Sequence, residues 1–235
     1  MNLLFGGTIK MKRIKLKDRI LPTYSKGEEI FNMISHIIGG AFGIIALISC
    51  VIVAAVHNNN IGIISGLIYG LSMVELYTMS SVYHGISPKK DIAKKVLQII
   101  DHCSVYLLIA GSYTPFALCT FMKYDQTLGL TIFFAVWGLA IFGIILNSID
   151  LRRYRVISMI CYLLMGWMII FKAYLLPDLL GIPGTVLLVT GGVLYTLGAI
   201  LYGVGVKKKW MHSIFHLFIV FASIAQYLCI VLYVM

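Results

Sequence analysis

Seven apolar stretches of bilayer length, separated by short polar breaks of which every second one is basic, leave this chain few ways to fold. The stretches cover residues 30–56, 61–83, 96–120, 127–147, 156–176, 185–206 and 211–235. Each reaches the ~20 residues that an α-helix needs to cross a ~30 Å hydrocarbon layer. Only helices and closed barrels satisfy their backbone groups in lipid, and stretches of this length are helical. With 60% hydrophobic and 12% charged residues, the chain is too apolar for a soluble domain. It reads as an all-α, seven-transmembrane helix bundle, residues 30–235, preceded by a basic N-terminal segment, residues 1–29.

Charge orients this bundle. Of the 19 Lys and Arg residues, all but Lys123 and Lys172 fall within the breaks 10–26, 89–95, 152–155 and 207–209. The positive-inside rule makes those breaks cytoplasmic, so the N-terminus is expected inside and the C-terminus outside. Lys172 lies near an expected outer helix end, from which its ammonium can snorkel. The net charge of +10 is scattered over four short segments beside apolar spans, which points to anionic inner-leaflet lipid and away from nucleic acid. Lys10, Lys12, Arg13, Lys15, Lys17 and Arg19 read as a solvated or lipid-associated tail. Residues 3–5 are too few for the apolar core of a signal peptide, so no cleavage is expected.

Cys50, Cys103, Cys119, Cys161 and Cys229 all fall in expected spans without a Cys-x-x-Cys pair. They read as small core residues, not as disulfides or thiolate metal sites. Gly39, Gly40 and Gly43, and Gly191, Gly192 and Gly198 further on, mark positions of close helix contact. Pro115, inside an apolar stretch, removes a backbone hydrogen bond and predicts a kink.

Ionisable groups inside a bilayer are expensive, so each needs a partner or a task. His212 and His216 stand at i and i+4 on one helical face, a spacing that suits two ligands of one metal ion. Ser80 lies one turn from His84, and Asp101-His102 sits in the third stretch. A rise of ~1.5 Å per residue puts His84 ~7 Å from Lys89, Asp101 ~9 Å from Lys95, and His212 and His216 ~4 and ~10 Å from Lys209. All four therefore share one depth. Three imidazoles and a water form an open catalytic metal site, and a carboxylate beside it would orient that water or take its proton. Imidazole ligands favour Zn2+ over Mg2+ or Ca2+, with Fe2+ or Mn2+ as alternatives.

Glu29, Asn32 and His36 share a face of the first stretch, lining a cytoplasmic vestibule or bonding between helices. Glu75 lies ~13 Å deeper than His84 and on roughly the opposite face, which excludes it as a ligand of the same ion. A bond to Ser72 or Thr78, or a place on a proton route, would account for it.

In order along the chain, Glu28-Glu29-x-x-Asn32-x-x-Ser35-His36, Ser80-x-x-x-His84, Asp101-His102 with Gly111-Ser112-Tyr113-Thr114-Pro115, and His212-x-x-x-His216 resemble the motifs of the hemolysin III branch of the progestin and adipoQ receptor family. The resemblance covers nearly all of the chain from Glu28 onward. It implies seven helices with a cytoplasmic N-terminus, and a Zn2+ ion held, as in the adiponectin receptors, by three histidines. Carried over by motif, the ligands are His84, His212 and His216, with Asp101 and Ser80 acting through water. The family is similar in turn to alkaline ceramidases, membrane hydrolases of lipid amides. Hormone binding is not implied, because the long soluble N-terminal domain of the animal receptors has no counterpart and Glu75 replaces an expected apolar residue.

The resulting expectation is a zinc-dependent intramembrane hydrolase, with Asp101 and Ser80 as catalytic residues, acting on a lipid amide or ester and serving lipid homeostasis in a bacterial plasma membrane. Its partners would be membrane lipids. A non-catalytic regulator of membrane fluidity or energetics, with zinc as a structural clasp, is the alternative. A pore-forming cytolysin ranks last, since no stretch carries a continuous charged stripe.

Overall fold

The computed structural model describes residues 14–205 and 208–235. Residues 3–5, Lys10, Lys12, Arg13 and Lys207 lie outside the described residues. Among the described residues the chain is helical throughout, with no strand. Six helical runs are apolar and long enough to cross a membrane, as befits a multi-pass membrane protein.

Helix α1, Lys26–Val56, buries a seam of small and polar residues, Asn32, Ser35, His36, Gly39, Gly43 and Ala46. It exposes large apolar ones, among them Ile37, Ile38, Ile44, Ile45 and Ile48. This polarity suits lipid outside and close helix contact inside. α2, Asn60–Gly85, packs along α1, and α3, Asp91–Pro115, packs on α2. α3 is the most enclosed of the long helices. Pro115 leads into a π-helical stretch, Phe116–Phe121, and a last helical turn, Met122–Tyr124. The ring removes the bond that would hold an α-helical register, and the wider turn accommodates it. α4, Gln126–Asp150, then packs on α3.

The longest apolar run, Arg155–Gly205, holds the fifth expected stretch and the sixth as far as Gly205. It comprises α5, Arg155–Gly166, a 3-10 stretch, Met168–Leu175, and α6, Leu176–Gly205. Trp167 Nε1 donates to Thr196 Oγ1 at 2.8 Å across 29 residues. One straight helix would set those residues about 43 Å apart, so the run doubles back on itself. The break expected over residues 177–184 takes the form of a kink at Gly181, whose φ of 68° few other residues adopt, and a second non-helical residue lies at Lys172. Pro177 falls in the first turn of α6, where a missing N–H costs nothing. α7, Met211–Tyr233, packs on α6 and α1 and closes the bundle.

Tight packing of α1 on α2 depends on Gly70. A Cβ there would stand 2.5 Å from the Leu47 Cα, a backbone atom that cannot turn aside. Gly70→Val is expected to destabilise the bundle by about 1–3 kcal/mol, the usual cost of overpacking. Thermal unfolding in detergent micelles would report it as a lower Tm. All five cysteines are free, with Cys103 partly exposed and the others buried.

Candidate metal centre

The ends of α1, α2, α3 and α7 that carry the site are pinned by backbone groups that helices leave unpaired. Ser25 and Glu28 form a reciprocal capping box: Glu28 N–H donates to Ser25 Oγ at 3.3 Å, and Ser25 N–H donates to Glu28 Oε2 at 2.9 Å. The other Glu28 oxygen accepts the N–H of Trp210 at 2.7 Å. Trp210 precedes α7 with φ 66°, an unusual conformation for a bulky residue. Glu28 thus fixes the start of α7, two residues before His212, to the start of α1.

Three imidazoles from two helices meet just inside this end. His84 comes from the last turn of α2, and His212 and His216 from the first turns of α7. Their ring centroids lie 5.5 Å (His84–His212), 5.0 Å (His84–His216) and 4.7 Å (His212–His216) apart. One nitrogen of each falls within 4.8 Å of the others. The Nε2 atoms of His212 and His216 stand 3.1 Å apart. Two ligands at about 2.05 Å in tetrahedral array stand about 3.3 Å apart, so the α7 pair already has the spacing of adjacent ligands. All three rings are buried, at 3%, 7% and 1% exposure. Nε2 of His84 has no hydrogen-bond partner among the described residues. A converging set of nitrogen donors in a dry setting fits a borderline-soft divalent ion.

Ser80 and Asp101 share a cavity of about 150 Å³ with His212 and His216, while His84 stands outside its lining. Ser80 is buried, and the Asp101 carboxylate lies 3.5 Å from Nδ1 of His102. His102 is spoken for: Nδ1 donates to the Gln98 carbonyl at 2.9 Å, and Nε2 shares a hydrogen bond with the Tyr202 hydroxyl at 3.0 Å. Away from the histidines the cavity is walled by Leu76, Val105, Leu108, Ile109 and Leu163, and it extends to Trp167 and Gln226.

The stripe on α1 divides. Glu29 reaches across to α2 and α3, bonding His84 and Lys94, so the interhelical reading holds for it. Asn32 and His36 make no side-chain hydrogen bond among the described residues. The His36 ring instead lies against His216, with centroids 3.9 Å apart. Glu75 is bonded to neither Ser72 nor Thr78. Ser72 donates to the Tyr69 carbonyl, and Oε2 of Glu75 is enclosed without a partner among the described residues.

The basic segment is tied to the bundle by more than its charge. From Ile14 onward its backbone bonds to the bundle, while the side chains of Lys15 and Lys17 remain exposed. Ile14 N–H donates to Asp150 at 3.2 Å, and the Lys17 carbonyl accepts from Lys95 at 2.8 Å. Tyr24 stacks on His212, 4.9 Å between centroids and 20° between planes, and approaches His84 at 5.7 Å. Charge composition carries no trace of these bonds, because the groups that hold the segment are backbone amides and carbonyls. Tyr24 and Lys94 are therefore site residues that motif reading misses. The capping box, Ser25-x-x-Glu28, is the one local signal that anchors the segment beside α1.

Comparison with known proteins identifies the family. A family model described as Haemolysin-III related matches residues 24–227. The chain is 40% identical to Hemolysin-3 of Bacillus cereus over 208 residues, 88% of this chain and 92% of that one. It is 40% identical to the Hemolysin-3 homolog of Bacillus subtilis over 206 residues, 88% of this chain and 94% of the relative. The monocyte to macrophage differentiation factor of Homo sapiens is 27% identical over 170 residues, covering 71% of this chain and 69% of its own length. On the match of nearly the whole sequence, every quoted motif included, the chain belongs to the haemolysin-III-related family.

Proposed function

We propose that this protein is a zinc-dependent intramembrane hydrolase of a lipid amide or ester, crossing a bacterial plasma membrane seven times with its N-terminus in the cytoplasm. The fold-back of the Arg155–Gly205 run supports seven crossings, since two passes then lie within one helical run. The alternation of basic and neutral breaks supports the orientation. On that orientation the three histidines lie near the inner leaflet.

The observation that carries the catalytic reading is the opening of two buried histidines, Asp101 and Ser80 onto one apolar cavity. His84, His212 and His216 would hold the ion. Bound there, Zn2+ supplies a Lewis acid that polarises a carbonyl and makes a neighbouring water a better nucleophile. Asp101 accepts the proton of that water and returns it to the leaving amine or alcohol. Ser80, buried beside the same space, orients water or carboxylate with its hydroxyl. The apolar walls from Leu76 to Trp167 receive an acyl chain and keep bulk water from the scissile bond.

The test is direct. Purified protein in lipid nanodiscs with Zn2+ is incubated with N-acyl sphingoid and glycerophospholipid substrates, and fatty acid release is followed by mass spectrometry. Release that stops on chelation and resumes with Zn2+ is the expected result. Stoichiometric zinc with no turnover on either class would favour the second reading, a membrane regulator in which zinc clasps α2 to α7. One observation favours that reading: the ligands divide between those two helices.

A further inference from the structure

Glu29 makes two short bonds, one at each oxygen. Oε1 accepts from Lys94 Nζ at 2.6 Å, and Oε2 meets Nδ1 of His84 at 2.6 Å. The three residues come from α1, α3 and α2. Lys94 is itself enclosed, 3% exposed, where its ammonium also donates to the Ile86 carbonyl at 3.3 Å and lies 5.4 Å from the centre of the Tyr83 ring. The lysine offers donors only, and its charge against Oε1 makes an ionised carboxylate the acceptor at Oε2. The ring hydrogen of His84 then sits on Nδ1. Its other nitrogen, Nε2, is left with no protein partner among the described residues.

We infer that Glu29 is a positioning residue of the metal centre: with Lys94 behind it, Glu29 sets the tautomer and direction of the His84 ring so that Nε2 is the atom presented to the ion. The inference rests on the metal reading above and deepens it. Neither His212 nor His216 bonds a carboxylate among the described residues. The α7 pair is held by its place on one helix, whereas His84 comes alone from α2 and needs its ring direction fixed from outside. A carboxylate behind a ligating imidazole also raises the ligand's basicity, and loss of such a partner typically costs about 10–100-fold in metal affinity. Lys94 tempers this: with its charge balanced, the carboxylate holds the ring hydrogen without drawing it away.

The experiment compares wild type, Glu29→Ala, Glu29→Gln and Lys94→Met as full chains in detergent micelles, stripped with chelator and titrated with Zn2+ against a competing indicator and with Co2+ by absorption. Glu29→Ala is expected to weaken Zn2+ binding by about 10–100-fold and to shift the cobalt bands. Glu29→Gln keeps a carbonyl that accepts from Nδ1–H and is expected to recover part of the affinity, with Lys94→Met between it and wild type. A purely structural role would lower the Tm of Glu29→Ala while leaving Zn2+ affinity and the cobalt spectrum as in wild type, and that result overturns the inference. Should Glu29→Ala fail to fold, Glu29→Gln decides: an unchanged cobalt spectrum and unchanged affinity overturn it, and a shifted spectrum with weaker binding upholds it. A wild-type protein that binds neither ion removes the metal centre itself, so failure of the broader reading is told apart from failure of this one.

Discussion

Alanine at His216 is expected to leave the purified protein without stoichiometric metal. The ring is 1% exposed and its Nε2 is 3.1 Å from that of His212, so truncation removes one of the three nitrogens that converge there. Loss of a group merely behind a ligand typically costs about 10–100-fold in affinity, and loss of the ligand itself must exceed that. His84→Ala and His212→Ala are expected to do the same, each alone. Elemental analysis by mass spectrometry on protein purified without chelator reads the effect, and His57→Ala serves as control, its ring lying at the far end of α1 near the carbonyl of Met235. Unchanged metal content in all three variants would refute the ligand set. His36 sharpens the comparison. It stacks on His216 without belonging to the converging trio, so His36→Ala should retain metal while disturbing the packing around it.

Asp101→Ala is expected to show the opposite pattern, with metal retained and turnover lost. Asp101 lines the cavity without joining the three converging nitrogens, and a positioned general base commonly contributes about 10²–10⁴-fold to rate. Asp101→Asn keeps the shape and hydrogen-bonding reach but cannot take a proton, so it should lose activity to nearly the same extent. Single-turnover release of fatty acid by zinc-loaded protein would measure both. Wild-type rates in Asp101→Asn would remove the residue from the chemistry, and loss of zinc in that variant would assign it to the ion instead.

Much of this arrangement can be read in the sequence because membranes simplify the problem. Helix length is set by the bilayer, and depth by counting residues from the nearest basic break. That arithmetic puts His84, His212 and His216 at one level, and in the structure they meet. The His-x-x-x-His spacing fixes two of them on one face whatever the rest of the chain does. What escapes is whatever depends on rotation and on non-helical backbone. Periodicity does not reveal that Glu29 faces His84 and Lys94, since that requires the relative rotation of three helices. Hydropathy separates the fifth stretch from the sixth at residues 177–184, where Gly181 kinks the run, but it gives no sign of the further non-helical residue at Lys172.

The N-terminal segment teaches the same lesson from the other side. Lys15, Lys17 and Arg19 suggest solvent or lipid headgroups by composition, yet the segment is held through the Ile14 amide and the Lys17 carbonyl, and it lays Tyr24 against His212. Backbone bonds are available to any sequence, so no residue type signals them.

X-ray absorption at the zinc edge on the intact, detergent-purified protein tests the central claim most directly. The account predicts one ion per chain with a first shell of nitrogen or oxygen at about 2.0–2.1 Å and the outer-shell scattering of three imidazoles. A shell containing sulfur at about 2.3 Å, fewer than three imidazoles, or no retained zinc at all would contradict it.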